Sequence, residues 1–272
     1  MWVDNLVYRG LEKTNQYPTY LFIVARLGET GVRLDDNGPA FIQWLHYVSK
    51  YRALKGDEFA FSDVKLLELL EKKMSEAELT KLFVSLTKVP GLENLAQSMI
   101  FKWSWSSHRH KLLNEAWLKS KESPANVFEI LKLEQRVEVY DVNFLEWMRY
   151  TKMYMKETER PFPVANFLLS KTTEQSAAML FQKLKEIDDL KAFAEKLQIQ
   201  LFDKWIRQYK LKPTKLEGMI DAPMIRGDPR FAMLEAYTIR FAELHDKTVM
   251  EKMKALFAND DFVAALAAAE KV

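Results

Sequence analysis

The sequence predicts an all-α fold: a tandem array of small helical bundles, one unit followed by two larger ones, stacked end to end. Three observations carry this. Glycine (8) and proline (9) are scarce among 272 residues, too few for an all-β chain with many turns. An aromatic stripe recurs as Phe41, Trp44, Tyr47, Tyr51, then Phe144, Trp147, Tyr150, Tyr154, then Phe231, Leu234, Tyr237, Phe241. Its steps of 3, 3 and 4 residues keep the side chains on one face of a helix. Finally, Leu82–Met99 repeats at a constant offset of 98 residues. Leu82 and Phe83 match Leu180 and Phe181, Leu86 matches Leu184, Leu92 matches Leu190, and Ala96 matches Ala194. The central tyrosines stand 103 and then 87 residues apart, so the repeating unit is about 90–100 residues.

The composition allows each unit a core of its own, with 48% hydrophobic and 12% aromatic residues. The net charge is +2 and the two signs are interspersed, giving no general attraction to nucleic acid or membrane. Cysteine is absent, so packing alone must hold the units, which suits a reducing cytosol as the place of action. No apolar run approaches a membrane span: Leu21–Ala25 is short and Arg26 interrupts it. No signal-peptide pattern opens the chain, which reads as a mature fragment whose targeting region has been removed.

In order, residues 1–55 form a first unit. Trp2 lies on an amphipathic opening helix, and residues 12 to 40 are expected to be irregular in part. Pro39 can occupy the first turn of the first stripe helix. Residues 56–158 form the second unit. Gly56 ends the stripe helix, Ser62-Asp63 caps the next, and Ser75 with Glu78 makes a capping box. Pro90-Gly91 separates that helix from one carrying Leu92, Leu95, Ala96 and Met99. Tryptophan then marks a helix end, at Trp117, and Ser123-Pro124 begins another helix. In the third unit, 159–246, Trp205 and Pro213 play the same parts. From tryptophan to tyrosine is 33 residues in one unit and 32 in the other, room for helix, loop and helix. Residues 247–272 are expected to be helical, as a terminal cap or the start of a further unit.

The offset falls from 98 to 88 between Met99 and Trp117, so the second unit carries a ten-residue insertion. It includes Trp103, Trp105, His108, Arg109 and His110. Two tryptophans beside an arginine suit a binding hot spot, and Trp103, Trp105 and Arg109 are the candidate partner-contacting residues. The competing reading is that they pack on their own bundle. A helix running straight through the insertion would turn Trp103 toward the core.

The order of leucine-rich segment, tryptophan helix and tyrosine helix resembles the tandem WY and LWY modules of oomycete (Phytophthora-type) RXLR effectors. The leucine part is matched by Leu66–Met99 and Val164–Leu197. The tryptophan part is matched at Trp117 and Trp205, and the tyrosine part at Tyr47, Tyr150 and Tyr237. No Arg-x-Leu-Arg motif is present, and Leu234 replaces the stripe tryptophan in the third copy. The resemblance implies a secreted protein that acts in the cytoplasm or nucleus of a plant host cell. There it would bind host proteins, as a monomer and without a cofactor, to suppress immunity. Some tandem members of the family act like regulatory subunits and bind the scaffold subunit of the type 2A protein phosphatase. The alternative is a scaffold for another host protein, in immune signalling, trafficking or RNA silencing.

The residues offer little to an enzyme. The four histidines form no His-Glu-x-x-His, and without cysteine the common zinc sites are missing. No glycine-rich phosphate loop and no Gly-x-Ser-x-Gly occurs. The carboxylate pairs Asp35-Asp36, Asp188-Asp189 and Asp260-Asp261 sit beside turns, where capping explains them. Tetratricopeptide and HEAT arrays have periods of about 34 and 40–47 residues, which do not fit this chain.

Overall fold

The computed structural model describes residues 16–271, apart from 56–57, 105, 107–108, 136 and 224. Trp2, Gly56, Trp105 and His108 therefore lie outside the described residues. Every regular element described is helical. The chain divides into two compact units, Met1–Leu133 and Glu134–Val272. This boundary falls inside the 56–158 span expected as one unit, and places Trp117 in the first compact unit and Tyr150 in the second.

In the first compact unit, α1 (Pro18–Val24) and α2 (Pro39–Lys55) are followed by a 3-10 turn at Glu58–Phe61 and by α3 (Asp63–Glu71). Then come α4 (Glu76–Leu86), α5 (Glu93–Trp103), α6 (His110–Lys119) and α7 (Pro124–Ile130). The starts of α3, α4 and α7 were legible from their residues. Ser62 accepts the Lys65 amide, Ser75 and Glu78 close a reciprocal capping box, and Ser123 accepts the Asn126 amide. Proline opens α1 and α7, where a missing N–H costs nothing. Gly91 takes φ +80° in the turn before α5, a backbone conformation that glycine adopts without penalty. The region expected to be irregular holds α1, then turns and bends until α2.

The core of this unit gathers on α2. Phe41, Trp44, Tyr47 and Tyr51 are all buried, as the stripe predicts. The Trp44 ring lies 4.9 Å from Phe22 and 6.4 Å from Phe61, both edge-on, the geometry that ring quadrupoles favour. Its indole N–H donates to the Pro18 carbonyl at 2.9 Å. Arg52 donates to the Phe61 carbonyl and pairs with Asp63 at 2.8 Å, tying α2 to the start of α3.

The second compact unit contains α8 (Val142–Thr158), α9 (Val164–Leu169), α10 (Glu174–Leu184) and α11 (Lys191–Arg207). It continues with α12 (Pro213–Ile220), α13 (Pro229–His245), α14 (Lys247–Ala258) and α15 (Phe262–Ala269). Helices α10 and α11 begin 98 residues after α4 and α5, as the offset requires. Phe144, Trp147 and Tyr150 are buried, while Tyr154 at the end of that stripe is only half-buried. Trp147 meets Phe167 at 5.7 Å and Phe162 at 6.5 Å. Phe162 thus plays toward Trp147 the part that Phe61 plays toward Trp44. Thr151 and Thr238, each directly after a motif tyrosine, are buried; each hydroxyl donates to the carbonyl four residues back.

Helices α14 and α15 form a hairpin that packs on α13. Phe231 stands 4.4 Å from Phe262 and 6.2 Å from Phe257, and Met253, Ala265 and Ala269 complete the cluster. Leu234, which stands where the other stripes have tryptophan, is buried.

Candidate interaction surfaces

The five motif aromatics Tyr47, Trp117, Tyr150, Trp205 and Tyr237 are all buried. They build the bundles and present nothing to a partner. Trp205 and Tyr237 meet at 5.8 Å, edge-on, with Phe202 5.1 Å from the tyrosine ring. The Tyr237 hydroxyl donates to the Leu211 carbonyl at 2.8 Å, and the Tyr47 hydroxyl donates to the Gln16 carbonyl. Both acceptors stand two residues before a proline that opens a helix. Each hydroxyl thus satisfies a loop carbonyl at a helix entry. Burial without a charged partner pushes the Tyr237 phenol above its ordinary value, so it stays a donor.

Of the three candidate contact residues in the insertion, Trp103 and Arg109 are described, and Trp105 lies outside the described residues. In the second compact unit, α11 runs unbroken from Lys191 to Arg207 and delivers Trp205. In the first, the equivalent helix stops at Trp103 and restarts at His110. Trp103 is fully buried: its indole N–H donates to Thr80 Oγ1 at 2.9 Å, and its ring meets Phe83 at 5.6 Å. Arg109 lies 3.7 Å above the Trp103 ring and pairs with Glu76 at 2.9 Å and Glu71 at 3.2 Å. Trp103 is thus a core residue, and Arg109 lies as a lid on its ring. His110 Nε2 lies 2.7 Å from the Ser104 carbonyl, a structural contact.

Glu76 and Glu174 occupy equivalent places 98 residues apart, each the first residue of its helix. Each holds a tryptophan of its bundle, Trp103 for Glu76 and Trp205 for Glu174, by different routes. Glu76 does so through Arg109. Glu174 accepts directly from the Trp205 indole at 2.5 Å, and also from Lys204 and from Tyr209. Burial opposes the Glu174 charge, but those three donors outweigh it and hold its carboxyl below the ordinary value.

With the motifs consumed in the cores, the surfaces remain. A groove of about 820 Å³ in the first compact unit lies between the 32–36 loop, α4 and α6. It is lined by charges, among them Asp36, Lys73, Glu78, Lys81 and Glu115. A groove of about 450 Å³ in the second compact unit lies between the 137–140 loop, α10 and the end of α12. Among the described residues no group of three or more His, Asp or Glu side chains is placed to hold a metal ion. No helix described is long and apolar enough to cross a membrane.

The family model "RXLR phytopathogen effector protein WY-domain" matches residues 50–100, the leucine-rich segment α3 to α5. A second model, "Effector PexRD54, WY-domain", matches residues 12–48 and 112–151. The latter ranges contain Tyr47, Trp117 and Tyr150, though not Trp2. The RxLR effector protein PexRD18 of Phytophthora infestans is 31% identical over 96% of this chain and 58% of its own length. The chain is a WY-domain member of the oomycete RXLR effectors.

Other effectors are similar as well. RxLR effector protein 54 of P. infestans is 33% identical over 68% of this chain and 46% of its own. RxLR effector protein PSR2 of Phytophthora sojae is 21% identical over 94% and 38%. The chain thus spans about half the length of the curated relatives it matches. The crystal structure of PexRD54 aligns over 90% of this chain and 94% of its own, at 23% identity and a TM-score of 0.33. RXLR effectors are proteins that are secreted and translocated into host cells.

Proposed function

We propose that this effector chain works inside the plant host cell by binding a host protein rather than by catalysis, and so suppresses immunity. One observation carries the reading. Across the two leucine-rich repeats a set of large core side chains is kept while several surface positions change. Leu82, Phe83 and Leu86 recur as Leu180, Phe181 and Leu184, whereas Ala77, Glu78 and Lys81 become Gln175, Ser176 and Met179. Packing dictates the first set and leaves the second free. A scaffold that keeps its core and varies its exterior is suited to recognition of macromolecules.

Within that reading the partner is the scaffold subunit of the host type 2A protein phosphatase, with the effector standing in for a regulatory subunit. Support comes from the tandem leucine–tryptophan–tyrosine order, which resembles that of family members acting in this way. The test mixes the purified chain with the scaffold and catalytic subunits and follows complex formation by size exclusion. A ternary complex that excludes the cellular regulatory subunit is the expected result. If the subunits elute separately, the phosphatase reading fails while binding to another host protein stands.

A further inference from the structure

The two grooves occupy the same place in the repeat. Each is walled by the loop before a tyrosine helix and by the second helix of a leucine-rich segment. Met74, Ala77, Lys81, Leu82 and Ser85 line one; Thr172, Gln175, Met179, Leu180 and Lys183, each 98 residues later, line the other. The fold therefore leaves a cleft there twice, and each repeat gives it a different chemistry.

In the first groove the charges are largely met from within the chain. Glu78 is held by its Ser75 cap, Asp35 by Arg33, and Lys73 by the Gly28 carbonyl. The second groove is apolar at its base and edge, with Glu138, Lys183 and Arg230 as its charged groups. Val139 and Leu180 are buried at its base, and Met179 and Ile220 are half-buried on its walls. At its edge Tyr140 is 75% exposed and Met219 50% exposed. Its volume of about 450 Å³ would hold a few side chains. Paired methionines reshape readily around an apolar guest, and an exposed tyrosine is a common anchor of recognition. Two cations stand in it beside Glu138, a carboxylate that has an interaction of its own within the chain. Arg230 is occupied by the Asp228 carboxylate and the Asp221 carbonyl. The Lys183 ammonium has no hydrogen-bond or ion-pair partner among the described residues.

We propose that the groove formed by Tyr140, Met179, Lys183 and Met219 docks a short peptide segment of a partner protein, one carrying aliphatic or aromatic anchors beside a carboxylate. The anchors enter between the methionines, and the carboxylate pairs with the Lys183 ammonium, which no described residue engages. A basic segment is disfavoured, because it would bring a second cation against Lys183 and Arg230. This site is independent of whether the host partner is a phosphatase.

The test uses the full chain against a displayed library of short peptides with two apolar anchors and one acidic residue. A second library has lysine in the acidic position. Enriched peptides are measured by fluorescence anisotropy, with methionine-methyl resonances reporting the contact. The expected result is a preference for acidic peptides of about tenfold or more, with the Met179 and Met219 methyls shifting on binding. Lys183→Glu should reverse the preference. Met179→Lys, which restores the residue found at the equivalent position 81, should weaken binding about tenfold at an unchanged melting temperature. The inference is overturned if neither library is enriched. It is also overturned if both variants bind like the wild type, or if the shifts fall on other methionines.

Discussion

Tyr237 serves two purposes with one side chain: its ring fills the bundle beside Trp205 and its hydroxyl satisfies the Leu211 carbonyl. Tyr237→Phe removes only the second. It should cost about 1–3 kcal/mol in chemical denaturation, since a buried carbonyl loses its donor. Trp205→Ala removes a ring from the core and a donor from Glu174, and should cost about 3–5 kcal/mol. An unchanged melting temperature would show the ring to be dispensable. Glu235 is a different case. Burial raises its carboxyl above the ordinary value, with Arg226 and Lys185 only partly offsetting this. The folded state thus tolerates its charge poorly at neutral pH. Glu235→Gln should stabilise the chain at pH 7 and lose that advantage in acid, which paired melting curves would reveal.

The helices divide into those readable from local residues and those settled by distant ones. The stripes on α2, α8 and α13, the caps at Ser62, Ser75 and Ser123, and the offset of 98 all depend on residues within a turn or two of each other. Ser75→Ala should cost about 1 kcal/mol of thermal stability through loss of the capping box. The insertion was not readable in the same way. Its Arg109 lid on Trp103 depends on Glu71 and Glu76, more than 30 residues away. The hairpin of α14 and α15 was legible as two helices, but its packing on Phe231 was not. The pairing of Arg149 with Asp189 was hidden too, across 40 residues. The equivalent positions show how freely such surface pairs vary. There His46 faces Gly91, where a Cβ would stand 3.3 Å from the imidazole. Neither groove could be read from the sequence, because each is a gap between segments far apart in the chain.

At the scale of the molecule, pH and partner binding are the informative variables. The hydrogen bond from Arg149 holds the Asp189 carboxyl below its ordinary value, and Thr214 does the same for Glu270. With Glu174, these groups contribute stability that is present above the usual carboxylate range and lost as pH falls through their lowered folded values. Thermal stability should therefore fall progressively below about pH 4, while Lys204→Ala, which takes a donor from Glu174, should flatten that dependence. The central claim is that buried aromatics hold a scaffold whose outer faces bind a host protein. Affinity purification of the tagged chain from plant-cell extract, with mass spectrometry of what it retains, tests this most directly. The account predicts a host protein recovered reproducibly with the wild type and lost with the Trp117→Ala/Trp205→Ala double variant. Recovery of nothing above that control would contradict it.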